Sequence, residues 1–131
     1  MIIDEAIVST LIPIFGKGKV FSGVSPDILE RDLDSKNFKP FAIFRSIGGE
    51  VNHTFERIYD TEKENYQIRL EVWGTRIAEV RRLAVKARNA ILKSSDFIAV
   101  VVEGGMVDDV ELGNKLFGCS QDYSLWVFSE E

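Results

Sequence analysis

The side chains that most often act as nucleophiles or general bases are scarce in this chain. The sequence has one histidine, His53, and one cysteine, Cys119. Ser46 and Ser120 lack the Gly-x-Ser-x-Gly pattern that presents a nucleophilic serine at a strand-to-helix turn. His53 lies in a polar stretch that is typical of a surface loop, and Cys119 is expected to be a small, buried strand residue. These patterns favour neither a catalytic triad nor a reactive thiol.

Two other groups of residues match binding motifs only in part. Gly16 and Gly18 lack the third glycine and the preceding strand of a dinucleotide-binding fingerprint, and no P-loop sequence is present. Asp108, Asp109 and Glu111 are expected to form an acidic loop over residues 108–111, without the spacing of an EF-hand. A small metal- or ligand-binding enzyme domain that uses this loop is therefore kept as an alternative, and no resident cofactor or metal is expected.

The strongest charge feature is a basic segment over residues 76–93. It has six cations and one acid, a net charge of +5, so the rest of the chain carries −10 of the total of −5. Such a segment can be a solvated helix face whose cations pair with acids elsewhere in the fold. It can also be a docking face for an acidic partner or an identical subunit. The candidate interface cations are Arg76, Arg81, Arg82, Lys86 and Arg88.

Composition and charge exclude several further classes of protein. The 131 residues are 45% hydrophobic and 28% charged, which is typical of one soluble globular domain spanning residues 1–131. No apolar run approaches the roughly 20 residues of a membrane span, and the acidic start of the chain is unlike a secretory signal. A basic-helix nucleic-acid binder is a second alternative. The net charge and the lack of interleaved aromatic residues argue against it, so no direct nucleic-acid binding is expected.

Hydrophobic periodicity predicts an α+β fold, with a mostly antiparallel sheet of four to five strands and two helices packed on one face. Thr75 is the predicted N-cap of the second helix. The apolar run at residues 97–102 predicts a central strand, and residues 22–39 and 51–64 are expected to be long loops. The predicted helices cover residues 4–15 and 76–93, and the other predicted strands cover residues 20–21, 41–47, 65–73 and 116–128.

Four segments of the sequence, taken in order, resemble those of a known family. Residues 40–50 read PFAIFRSIGGE and residues 66–75 read YQIRLEVWGT; the basic helix follows, and residues 121–126 read QDYSLW. These segments resemble the P-Y-V-V-Y-x-x-I-S-G strand, the R-x-Q-V-D-V-W-A-x-T strand, the E-A-x-x-L-A helix and the x-D-Y-S-V-W strand of the small tail-completion, or tail-to-head joining, proteins of long-tailed phages.

The resemblance implies a non-enzymatic structural protein of a phage or prophage. It would cap the completed tail tube and join it to the head connector, commonly as a hexameric ring. Its partners would be further copies of itself, the tail tube and the head-connector proteins. It would act in the virion tail, and in the host cytoplasm during assembly.

A ring needs a heterologous interface, with different patches on opposite sides of each subunit. The basic segment and the acidic remainder of the chain offer one such pair of patches. Trp73 and Trp126, expected on outward strand faces, are the candidates for the apolar surface that such an interface buries.

Overall fold

The computed structural model describes residues 3–23, 26, 28, 33, 38–48, 63–111 and 115–128. Most of the predicted loops at residues 22–39 and 51–64, with His53, lie outside these ranges. Within them the chain forms two helices, α1 (Ile3–Phe15) and α2 (Ile77–Lys93), and five strands, β1 (Val20–Ser22), β2 (Phe41–Gly48), β3 (Lys63–Gly74), β4 (Ala99–Glu111) and β5 (Leu116–Phe128).

The five strands form one sheet in the order β1-β2-β3-β5-β4. Strand β1 runs parallel to β2, and the other neighbouring pairs are antiparallel. The prediction of an α+β fold with a mostly antiparallel sheet and two helices is confirmed. Strands β3 and β5, which pair along almost their whole lengths, form the middle of the sheet.

The core lies on the face of the sheet that the two helices cover. Side chains alternate between the faces of a strand, so Ile68, Leu70 and Val72 of β3 share one face with Tyr123 and Leu125 of β5. All five are buried. The helices bury their apolar stripes in the same clusters; these residues are Ala6, Ile7 and Leu11 of α1, and Val80, Ala84, Ala87 and Ile91 of α2.

Helix α1 continues past the proline that its sequence places near the end. Pro13 lies inside the helix, which ends at Phe15 as the periodicity predicts. Gly16 then adopts a φ of 96°, a left-handed conformation in which glycine has no Cβ penalty. Its backbone N–H donates to the carbonyl of Ile12 at 2.8 Å, which satisfies one of the free carbonyls at the helix end.

Helix α2 begins one residue later than predicted. Its N-cap is Arg76, not Thr75, because Arg76 has extended dihedrals (φ −129°, ψ 118°) and its carbonyl accepts the first helical hydrogen bond, from Val80 N–H at 3.0 Å. The side chain of Arg76 makes no capping hydrogen bond. Glu79 in the first turn places a negative charge near the positive end of the helix dipole.

Strand β4 is an edge strand and extends far beyond the predicted one. Residues 97–102 are therefore not a central strand, and the side chain of Val101 is 52% exposed. The acidic residues 108–111 do not form a loop either, because they continue β4 and pair with the beginning of β5. A short run of valines without alternating polar residues is typical of a strand that is buried on both faces. In this fold the run lies in the edge strand, and Val101 is exposed to solvent.

A bulge divides β4 into two halves. Glu103 pairs with Asp122 and Val107 with Ser120, so the three residues of β4 between these pairs face Gln121 alone. The buried amide nitrogen of Gln121 donates to the carbonyls of Glu103 (2.8 Å) and Gly104 (3.1 Å). Because two extra residues are inserted, the side chains of β4 keep their alternation on both sides of the bulge.

One end of the helix-free face carries a second, smaller core. Phe41 and Ile43 of β2 pack there with Trp73 of β3 and Leu116 of β5. Leu33, in the segment between β1 and β2, is 6% exposed and completes the buried part of this cluster. Both faces of the sheet therefore contribute to the packing, and the described residues cover the helix-free face at this end.

Candidate assembly interface

The predicted interface cations extend along α2 from its N-cap to its middle. Arg76, Arg81, Arg82 and Lys86 are exposed, and Arg88 is half-buried. At about 100° per residue, Arg82 and Lys86 lie on one flank of the exposed surface and Arg81 on the other. The helix thus presents a positively charged face to solvent, directly opposite the stripe that it buries against the sheet.

Ion pairs among the residues that the structure describes occupy only part of this positive charge. Arg81 pairs across to Asp108 on β4, and Arg82 lies 4.0 Å from Glu79 in the preceding turn. The Arg81 guanidinium beside Asp108 holds the pKa of that carboxyl below its usual value. Arg76, Lys86 and Arg88 have no acidic partner within the described ranges. Neutralisation by the described residues therefore accounts for only part of the basic face.

An apolar line that the sequence reasoning missed runs between the two flanks of cations. Ala78, Val85 and Leu92 follow at intervals of seven residues and are all exposed. Val85 is 36% and Leu92 48% exposed. A signal was available in the sequence, because these residues lie outside the core stripe but share one side of the helix. An apolar centre with a charged rim is the usual anatomy of a protein interface.

The two tryptophans differ in how far they are available to a partner. Trp73 is 7% exposed and belongs to the small core on the helix-free face, so the expectation that it offers outward apolar surface is wrong. Its indole N–H donates to Glu71 Oε1 at 3.1 Å. Trp126 is half-buried on the same face of β5, opposite Ala99 of the edge strand.

Away from the small core, the helix-free face carries a row of four charged side chains across the sheet. Arg45, Arg69, Asp122 and Glu103 are successive neighbours on β2, β3, β5 and β4. Arg69 binds Asp122 through two nitrogens, at 2.8 and 3.2 Å, and Arg45 reaches Glu71 at 3.3 Å. The cations lie toward β2 and the acids toward β4, so the negative charge of this face is concentrated at the β4 edge.

The acids at 108–111 are arranged poorly for holding a metal ion. Asp108 is opposite Cys119 on the helix side of the sheet, whereas Asp109 and Glu111 are opposite Gly118 and Leu116 on the other side. The described residues contain no group of three or more His, Cys, Asp or Glu side chains that could hold a metal. Cys119 is buried as expected, and burial raises the pKa of its thiol, which disfavours the reactive thiolate.

A cleft of about 470 Å³ lies between the end of α1, residues 38–40 and the beginning of α2. Its titratable lining side chains are Lys39, Arg76 and Glu79. They include no cysteine, no histidine and no pair of carboxylates, so this lining offers neither a nucleophile paired with histidine nor two carboxylates for acid–base catalysis. Neither helix in the described ranges has the length and apolar character to cross a membrane.

Comparison with known proteins gives a match at the level of structure. No protein-family model matches the sequence, and no curated protein matches it. The fold is similar to that of a chain in the virion of a native gene transfer agent particle, with a TM-score of 0.59 and 11% identity, over 97% of this chain and 95% of that chain. At this identity the similarity establishes a shared fold.

A second solved structure is less similar. It comes from an Akkermansia muciniphila protein without its transmembrane region, and it is 15% identical over 66% of this chain and 46% of that chain. Its TM-score of 0.34 is too low to support any inference about this protein.

Proposed function

We propose that this protein is a structural component of a phage-like virion, which caps the tail tube and joins it to the head connector as a ring of identical subunits. The observation that carries the proposal is the fold shared with a gene transfer agent virion chain over almost the whole length of both chains. The ordered resemblance of four segments to tail-completion proteins, which uses sequence and not structure, supports the same role.

The exposed surfaces of α2 and β4 are better suited to contacts with other proteins than to catalysis. The exposed side of α2 combines cations with an apolar line, and the edge strand β4 combines valines with acids. Each is suited to contacts with other protein chains, in which charge sets orientation and the burial of apolar surface supplies affinity. The lining of the cleft between α1 and α2 and the arrangement of acids on β4 do not favour the enzyme alternative.

Deletion of the gene in the phage or prophage that encodes the protein tests the proposal. The expected result is that filled heads and free tails accumulate separately, as seen by electron microscopy of the lysate. Complementation with the unaltered gene should restore joined particles. Antibody labelling of those particles should place the protein at the junction between head and tail.

Three results would contradict the proposal at different levels. Joined, active particles that form without the protein would exclude an essential joining role. Purified particles that lack the protein, as judged by mass spectrometry, would exclude a virion component altogether. Labelling at another position in the particle would keep the structural role but exclude the junction.

A further inference from the structure

We infer that the exposed side of α2 in one subunit docks on the helix-free side of β4 in a second copy, so that subunits join head to tail. This inference rests on the proposed ring and specifies which surfaces form its contact. The α2 face consists of Ala78, Arg82, Val85, Lys86 and Leu92. The β4 patch consists of Val101, Glu103, Val107, Asp109 and Glu111.

The β4 patch matches the α2 face in chemical character and opposes it in charge. Strand β4 has four acids and no cation in its sequence, and three of these acids, Glu103, Asp109 and Glu111, lie on the helix-free side. Val101 and Val107 alternate with them and are 52% and 62% exposed. The patch is thus a row of exposed valines and acids, and the α2 face is an exposed apolar line with cations beside it.

The two surfaces lie on opposite faces of the sheet. Helix α2 packs on the face of Tyr123 and Leu125, whereas the β4 patch shares the other face with their neighbours Ser124 and Asp122. One chain therefore cannot bring its own α2 face onto its own β4 patch. A second copy can, and this contact leaves a free patch at each end, which is the requirement for a ring.

The charges also disfavour the symmetric alternatives. Two α2 faces placed together would bring cations against cations, and two β4 patches would bring acids against acids. Like charges that face each other across an interface are strongly unfavourable. A second copy of this chain in a heterologous arrangement is the partner whose charges complement both surfaces at once.

Charge reversal tests the contact on the full-length protein. Arg82→Glu with Lys86→Glu makes the α2 face acidic, and Glu103→Lys with Asp109→Lys makes the β4 patch basic. Each variant alone should lose self-association by at least about tenfold in sedimentation velocity. An equimolar mixture of the two variants should recover it, because every contact between one variant and the other then joins opposite charges.

A matched control separates the contact from net charge. Lys17→Glu with Lys39→Glu produces the same change in net charge as the α2 variant, at exposed positions outside both surfaces. This control should associate like the unaltered protein. Normal association of either reversed variant, or no recovery in the mixture, would overturn the inference.

Cross-linking tests the geometry directly. Copies with Val85→Cys and copies with Val107→Cys should cross-link to each other when mixed, while neither variant should cross-link to itself. Cys119 is buried and leaves a low background. Cross-linking of Val85→Cys copies to one another would show a symmetric contact and contradict the inference. Absence of the mixed cross-link, both in concentrated protein and in assembled particles, would do the same.

These results are distinguishable from a failure of the proposed function. If particles need the protein at the junction but the mixed cross-link does not form, the joining role stands and this contact is wrong. If the copies cross-link as expected but joined particles form without the gene, the contact stands and the joining role is wrong.

Discussion

The indole of Trp73 lies against Gly118, its neighbour across the β3–β5 pair. A Cβ placed on Gly118 would stand 2.5 Å from Cζ3 and 2.6 Å from Cε3 of Trp73, closer than any real contact. The missing side chain of Gly118 thus makes the space in which Trp73 packs beside Phe41 and Leu116. This pair explains why a tryptophan on the helix-free face of β3 is buried and not presented to a partner.

Replacing this glycine should destabilise the fold. Gly118→Ala forces the ring of Trp73 out of its position, and overpacking of this kind lowers the free energy of unfolding by about 1–3 kcal/mol. Gly105→Ala is the matched control, since a Cβ there meets nothing within 4 Å. Urea denaturation of both variants measures the difference, and equal stability would show that Trp73 repacks without cost.

The bulge in β4 yields a second prediction. Gln121→Met keeps the approximate size of the side chain but removes the amide that donates to the carbonyls of Glu103 and Gly104. Losing two hydrogen bonds of this kind costs about 1–3 kcal/mol in total. Urea denaturation should show this loss, and hydrogen exchange should show faster opening of β4 than of β3. Unchanged exchange in β4 would mean that the amide does not hold the bulge.

The sequence predicts the elements of this fold much better than their arrangement. Alternation along β3 and the 3–4 spacing of α2 identify a strand and a helix because each pattern is local. That β4 lies at the edge, and that residues 108–111 extend it, depends on pairing with β5, which no local pattern records. The same holds for Trp73, whose burial depends on Gly118 in a distant strand and on Leu33 in the segment between β1 and β2.

The candidate interface was predictable in charge but not in its apolar part. The five cations of α2 and Arg76 at its N-cap are visible in the sequence, and the solvent-facing side of the helix follows from the stripe that faces the core. The tryptophans were the predicted apolar contacts because of their residue type. The exposed apolar surface of α2 and β4 belongs to smaller residues, Val85, Leu92, Val101 and Val107. Which valines are exposed depends on the place of the strand in the sheet, and this is a property of the fold.

Removal of the Tyr123 hydroxyl is expected to maintain or raise the stability of the fold, unlike the two substitutions predicted above. Tyr123 is 1% exposed, and its hydroxyl has no hydrogen-bond partner among the described residues. Because a buried polar group without a partner costs free energy, Tyr123→Phe should leave the free energy of unfolding unchanged or raise it by about 1 kcal/mol. Thermal and urea unfolding measure this change, and a clear loss of stability would indicate that the hydroxyl is hydrogen-bonded in solution.

Tyr66 makes stability depend on alkaline pH. Its hydroxyl donates to Glu64 Oε2, and this bond together with burial raises the pKa of Tyr66 to about 12. Unfolded tyrosine ionises near a pKa of about 10, so between these two values the unfolded chain loses a proton that the folded chain keeps. The contribution of Tyr66 is therefore fully present below about pH 10 and is lost as the pH rises to about 12.

Urea denaturation at several pH values between 8 and 12 measures this loss, and Tyr66→Phe should make the decline shallower. Some decline should persist in this variant, because burial also raises the pKa of Tyr123 and of the Cys119 thiol, and both act in the same direction. Adding Tyr123→Phe should reduce the decline further. A loss of stability that is equal at every pH in Tyr66→Phe would contradict this prediction. It would show that the hydroxyl contributes packing or a hydrogen bond, and that the pKa of Tyr66 is the same in the folded and the unfolded chain.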